Sequence, residues 1–184
     1  MPRYVAFLRA INVGGHIVAM EKLRDLFTKL GFEDVETFIA SGNVIFTTPS
    51  KNTRALQRKI EGHLQKSLGY EVRTFIRSDA EVATIARYKP FKGVTASSAT
   101  PLNVAFVDVP PEANATRSLM ALRNEIDDFH VSGREVYWLR KKNPGDSRFS
   151  YAAFEKIIKG KATFRNVNTV ARLAAKYPQA KITG

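Results

Sequence analysis

Several short stretches carry residues whose types and spacing could do chemistry. Asn12-Val13-Gly14-Gly15 lies between a strand-like run and a helix-like run. Glycines there let backbone N–H groups turn toward an anion, and a helix start nearby adds partial positive charge. With Arg9 just before it, the loop is a candidate anion site built from Arg9, Asn12, Gly14 and Gly15. It lacks the lysine and hydroxyl of a P-loop and the third glycine of a dinucleotide loop. A tight connection needing positive φ accounts for both glycines equally well. Ser41-Gly42-Asn43 would put a hydroxyl and an amide at a hairpin tip, so Ser41 and Asn43 are candidate ligand contacts. No base or acid is readable beside Ser41 to make it a nucleophile, and turns select the same residue types. Arg165 and Asn166 precede the last helical run. Asn166 or Asn168 suits a helix N-cap, whereas Arg165 suits a two-pronged grip on phosphate or carboxylate, or an ion pair.

A second set points to nucleic acid. Arg73, Phe75 and Arg77 alternate with Val72, Thr74 and Ile76, and Arg3, Val5, Phe7 and Arg9 echo them. In a sheet with one face free of helices, an Arg-aromatic face can stack bases, although residues 43–47 do not match an RNA-recognition signature. Arg140, Lys141 and Lys142 add a basic run. The chain carries a net charge of +12, and from residue 134 onward twelve Lys or Arg stand against three Asp or Glu. That balance favours polyanions as partners, nucleic acid or a phosphorylated small molecule, and equally describes a solvated basic face. His16, His63 and His130 are scattered and cysteine is absent, so no metal-ligand spacing exists, no cofactor is expected and no catalytic residue is assigned. Without cysteine, a signal-peptide pattern or a long apolar run, the chain is expected in the cytosol, with no membrane partner and an oligomeric state left open.

The elements that must position these residues follow from periodicity. Residues 3–8 read as a buried strand. Met20, Leu23, Leu26, Phe27 and Leu30 make one helical stripe that Gly31 should end. Residues 35–40 and 43–47 form a hairpin turning at Ser41-Gly42. Ala55, Leu56, Ile60, Leu64 and Leu68 line a second helix ended by Gly69, residues 71–77 return as a strand, and a short helix opens at Ser78 or Asp79. The order βαββαβ is the ferredoxin-like signature.

After the small, uncharged stretch 93–101, the order starts again with a strand at 102–107, a helix at 114–124 and a hairpin of 129–131 with 135–140 turning at Ser132-Gly133. A turn at 143–146 and helices at 151–158 and 167–176 follow, the last where the first half has a strand, so the second sheet either lacks a strand or borrows one. The expected fold is α+β, a tandem duplication of two ferredoxin-like (βαββα-type) subdomains with antiparallel sheets, at 1–92 and 102–184 around a linker at 93–101.

At these residues the chain resembles the domain-of-unknown-function family numbered 1697. The matching stretches run from Leu8 to Gly15, then Met20 with Leu23-Arg24, Leu30-Gly31-Phe32, Thr37 to Phe46, and Arg165 to Val170. Ala10 stands where the family tends to have glycine, Ile17 and Val18 where it tends to be polar, and Val167 where it often has tryptophan. The resemblance implies two similar α+β subdomains in tandem and carries no activity, cofactor or catalytic residue. The leading expectation is therefore a cytosolic bacterial binding protein for an anionic ligand, nucleic acid or nucleotide first. The alternatives are a small-molecule enzyme with a cleft between the subdomains, using Asn12, Ser41, Asn43 and Arg165, and a protein-interaction module pairing through exposed sheet edges.

Overall fold

The structure, a computed structural model, describes residues 1–12, 14–39 and 42–179. Among them are six α-helices and eight strands in two four-stranded antiparallel sheets. The first sheet takes β1 (Arg3–Leu8), β2 (Glu33–Thr37), β3 (Asn43–Thr47) and β4 (Thr74–Ser78) in the order β2-β3-β1-β4. Helices α1 (Met20–Thr28), α2 (Thr53–Leu68) and α3 (Asp79–Arg87) lie between and after these strands. The second takes β5 (Leu102–Val107), β6 (Asp127–Ser132), β7 (Glu135–Arg140) and β8 (Ala162–Asn166) in the order β6-β7-β5-β8, with α4 (Ala113–Ala121), α5 (Tyr151–Ile158) and α6 (Val167–Lys176). No helix of the described residues is long and apolar enough to cross a membrane.

Local chemistry sets the element ends. In α2, Leu56, Ile60 and Leu64 recur every four residues and are buried, Asn52 Oδ1 accepts from the Ala55 N–H at the start, and Gly69 closes the helix at φ 83°. Helix α1 stops at Thr28. Residues 29–31 continue as a tight turn, with Leu30 N–H to Phe27 and Gly31 N–H to Thr28, before Gly31 takes φ 80°. Strand β2 sits two to three residues earlier than its periodicity suggests. Asp34 at φ 49° opens a register shift and Ile39 at φ 46° ends the extended run.

The cores form where alternation and helix stripes meet. Tyr4, Ala6, Leu8, Val44, Phe46 and Ile76 pack with Leu23, Phe27, Leu56, Ile60 and Leu64 in the first half. Ala105, Val107, Val136 and Ala162 pack with Leu119 and Phe154 in the second.

The registers repeat. Val5 faces Ile45 on one side and Arg77 on the other, and Val104 faces Tyr137 and Arg165 in the same way. The second sheet neither lacks its last strand nor borrows one, the two outcomes the sequence left open: β8 fills the place. It is a five-residue run, partly exposed, that passes into α6 with no intervening loop, so it has neither the apolar pattern nor the closing turn of a recognisable strand. The chain divides into two compact units, Met1–Ile85 with Arg172–Gly184 and Ala86–Ala171. The division therefore falls within α3 and again within α6, rather than at a linker over 93–101. Tyr88 belongs with the second unit, where its hydroxyl lies 2.7 Å from His130 Nε2, and Tyr177 with the first, where it bonds Glu36.

Candidate functional site

The glycine loop of the first unit is fastened from within. Asn12 Oδ1 accepts from the Val18 N–H at 2.7 Å, the Tyr70 hydroxyl donates to the Ile11 carbonyl at 2.8 Å, and the His16 ring stacks on Tyr70 with centroids 4.1 Å apart. Gly14 and Gly15 have φ of 61° and 83°, and nothing lies within 4 Å of where a Cβ would stand. Backbone conformation, not close approach, is what selects glycine there. Ala10 shares the left-handed region at φ 56°. An alanine there is strained by about 1–2 kcal/mol, partly offset by the greater freedom a glycine loses on folding. Ala10→Gly is therefore expected to stabilise the fold by about 0.5–1 kcal/mol, read as a higher melting temperature; a lower one would remove the strain argument.

Backbone pairing gathers several of the sequence candidates at one end of the first sheet. Leu8 N–H donates to Gly42 at 2.7 Å and Arg9 N–H to Arg73 at 2.8 Å. Asn43 is buried, and its amide nitrogen donates to the Phe38 and Ile39 carbonyls, closing the hairpin. Ser41 lies outside the described residues. Arg73 pairs with Glu61 at 3.2 Å.

Two expectations are corrected by burial. Phe75 and Arg77 are each 1 % exposed, so of the alternating residues only Arg73 keeps a part-exposed guanidinium. The face of the first sheet opposite its helices is apolar and enclosed, carrying Val5, Phe7 and Ile45 beside them. Arg165 occupies the position in β8 that Arg77 occupies in β4, and both donate through Nη1 to the preceding carbonyl at 2.9 Å. Arg165 also reaches Thr163 Oγ1 at 2.8 Å. Burial pushes its guanidinium down to about 10, although part of the residue's surface stays open to solvent. Asn166 caps α6 by accepting from the Asn168 N–H at 2.9 Å, as the sequence suggests. Arg165 and Asn166 belong to the second unit and the glycine loop to the first.

The basic run of the second unit stays at the surface. The Arg140 guanidinium lies 4.7 Å from the Trp138 ring centroid, and its Nε is buried without a hydrogen-bond partner, so a ring face meets the charge. Lys141 approaches Asp128 at 3.9 Å and Lys142 pairs with Glu125 at 2.8 Å, both on accessible side chains. Such surface pairs contribute little and yield to a competing anion.

Trp138 anchors an aromatic cluster that sequence reasoning missed. Phe149 lies 5.0 Å from it, and Tyr151 meets it edge-on at 6.2 Å. Tyr151 stacks on Phe164 at 4.4 Å and 24°, yet is 56 % exposed, so one face of the ring is covered and the other faces water. Ser150 caps α5 by accepting from the Ala153 N–H, which fixes Tyr151 at the first helical position. Arg148, also exposed, stands three residues before Tyr151. The readable signal was the interleaving of Arg148, Phe149 and Tyr151 after the turn at residues 143–146.

The loop carrying Arg148 is tied down by a buried carboxylate. Asp127, 3 % exposed, accepts from Trp138 Nε1 at 2.8 Å and from Ser147 Oγ at 2.8 and 3.0 Å on its two oxygens.

A family model described as a protein of unknown function (DUF1697) matches residues 1–137. Among solved structures, that of the conserved bacterial protein SP0830 from Streptococcus pneumoniae is similar at 22% identity, over 96% of this chain and 98% of that one, with a TM-score of 0.69. At that identity the likeness speaks for the fold alone. No curated protein matches the chain.

Proposed function

We propose that this chain, which belongs to the DUF1697 family of proteins of unknown function, is a cytosolic binding protein for anionic ligands and that single-stranded nucleic acid is the ligand its surface fits best. The reading takes the fold as a tandem duplication of ferredoxin-like halves. Identical strand orders, the repeated Val5-Ala6-Phe7 and Val104-Ala105-Phe106, and the paired Arg77 and Arg165 support it. In sheets of this kind the helix-free face is the usual platform for bases. Here Phe75 and Tyr137 on those faces are buried, so stacking must occur elsewhere.

The observation that carries the proposal is Tyr151, an exposed ring backed by Phe164 on the same Trp138 that holds Arg140. A base stacks on its free face, while Arg140, Lys141, Lys142 and Arg148 take flanking phosphates. Stacking on an aromatic side chain contributes about 1–3 kcal/mol per base and tolerates any sequence.

The test is titration of labelled oligouridylate and oligothymidylate of about a dozen nucleotides, with quenching of Trp138, the sole tryptophan, as a second reading. Tyr151→Ala should weaken binding about tenfold or more without changing the salt slope. Lys141→Gln with Arg148→Gln should lower that slope by about 1.4. Absence of binding at low salt, or wild-type affinity in Tyr151→Ala, would sink the proposal.

A further inference from the structure

A second cluster of cations lies in the first unit, assembled from three segments far apart in the chain. Residues after the middle of α6 group with that unit, and the Tyr177 hydroxyl donates to Glu36 on the edge strand β2. Lys176 Nζ stands 3.4 Å from the same carboxylate, 5.7 Å from the Phe38 ring and 5.1 Å from the Tyr177 ring. The Arg172 guanidinium lies 6.0 Å over Phe38. From the start of β1, Arg3 lies 6.0 Å over Tyr177 and donates to the Pro178 carbonyl at 3.2 Å.

Three cations thus converge on two rings, against one carboxylate in contact with them among the described residues. Glu36 is already engaged, since the Tyr177 hydroxyl and then Lys176 hold it below the usual carboxylate range against a smaller opposing effect of burial. Arg172 has no carboxylate partner among the described residues, and Arg3 acts on Glu36 only through space, as the weakest of the effects that lower it. A guanidinium laid over a ring keeps its in-plane N–H groups directed outward, the geometry that meets a phosphate by parallel hydrogen bonds. The excess of charge is local and exposed: Arg172 and Lys176 both face solvent.

We infer that Arg3, Arg172 and Lys176 form a second contact surface, for the phosphodiester backbone of nucleic acid, separate from the Tyr151 site. The surface reads no sequence, because phosphate contacts position a strand without distinguishing its bases. The inference rests on the nucleic-acid reading for the identity of its ligand, but not on Tyr151. Phe38 and Tyr177 serve by holding the cations in place rather than by stacking bases, since Tyr177 itself is buried.

The experiment measures oligouridylate binding by anisotropy at about 50 and 200 mM salt for the full chain, Arg172→Gln with Lys176→Gln, and Tyr151→Ala. The double variant should lower the slope of log affinity on log salt by about 1.4, two single-strand phosphates at about 0.7 each. Tyr151→Ala should leave the slope alone. Should the double variant loosen the Glu36 contact and melt early, Arg172→Gln alone gives the reading, because among the described residues Arg172 meets only a ring face, and its slope should fall by about 0.7. An unchanged slope in a folded variant overturns the inference and leaves the Tyr151 reading standing. Lack of oligonucleotide binding by the wild type overturns both. Equal affinity for polyglutamate, lost in the same variants, would assign the surface to acidic polypeptide and overturn it as well.

Discussion

Asp127→Ala should destabilise the second unit by about 2–4 kcal/mol. The carboxylate is buried and accepts from Trp138 Nε1 and Ser147 Oγ. Removing it leaves the indole N–H enclosed with nothing to accept it, and a buried donor without a partner forfeits the desolvation it underwent on folding. Asp127→Asn keeps an acceptor oxygen of the same shape and should lose only about 1 kcal/mol. Urea denaturation followed by Trp138 fluorescence reads both, since the probe is the donor itself. Equal losses in the two variants would mean that charge rather than the hydrogen bond is what matters.

The change should also be felt in binding. Ser147 ties the loop bearing Arg148 to β6 through this carboxylate, so a folded Asp127→Ala chain should bind oligouridylate more weakly while Tyr151 is untouched.

Much of this architecture was legible in the residues. Strands at 3–8, 43–47 and 102–107 and the helix at 151–158 fall where alternation and helical spacing put them, because each is a strongly patterned run bounded by a turn or a cap. Strand β8 was not legible. Its pairing with β5 decides its conformation, and a five-residue half-exposed run carries no period long enough to reveal that. The site was less legible still. Alternation in residues 73–77 distinguishes two faces but cannot say that both are covered, so Arg77 and Phe75 looked available. That Arg165 bonds within its own strand, to Thr163 and the Phe164 carbonyl, is likewise not displayed by a sequence. The clusters around Tyr151 and Tyr177 depend on contacts between residues as distant as Glu36 and Tyr177, which no local spacing records.

Glu61→Ala should cost about 1.5–3 kcal/mol, and Glu155→Ala should act in the same sense with a smaller loss. Glu61 on α2 accepts from the Thr74 N–H at 2.8 Å and pairs with Arg73 at 3.2 Å. Glu155 on α5 accepts from the Ala162 N–H at 3.2 Å and pairs with Lys161 at 3.4 Å. In both units the glutamate satisfies the first backbone donor of the last strand, an N–H at the start of β4 or β8, and neutralises the cation just before it. Longer distances and an exposed lysine make the second arrangement the weaker one. Glu61→Gln separates the two contributions, because its amide oxygen still accepts from Thr74 while the ion pair is lost; about 0.5–1 kcal/mol should go. If Glu61→Gln is as damaging as Glu61→Ala, the ion pair with Arg73 rather than the strand's N–H sustains the junction. If Glu155→Ala has no effect, the likeness of the two helix-to-strand junctions is geometric only and offers no support for a common origin of the halves.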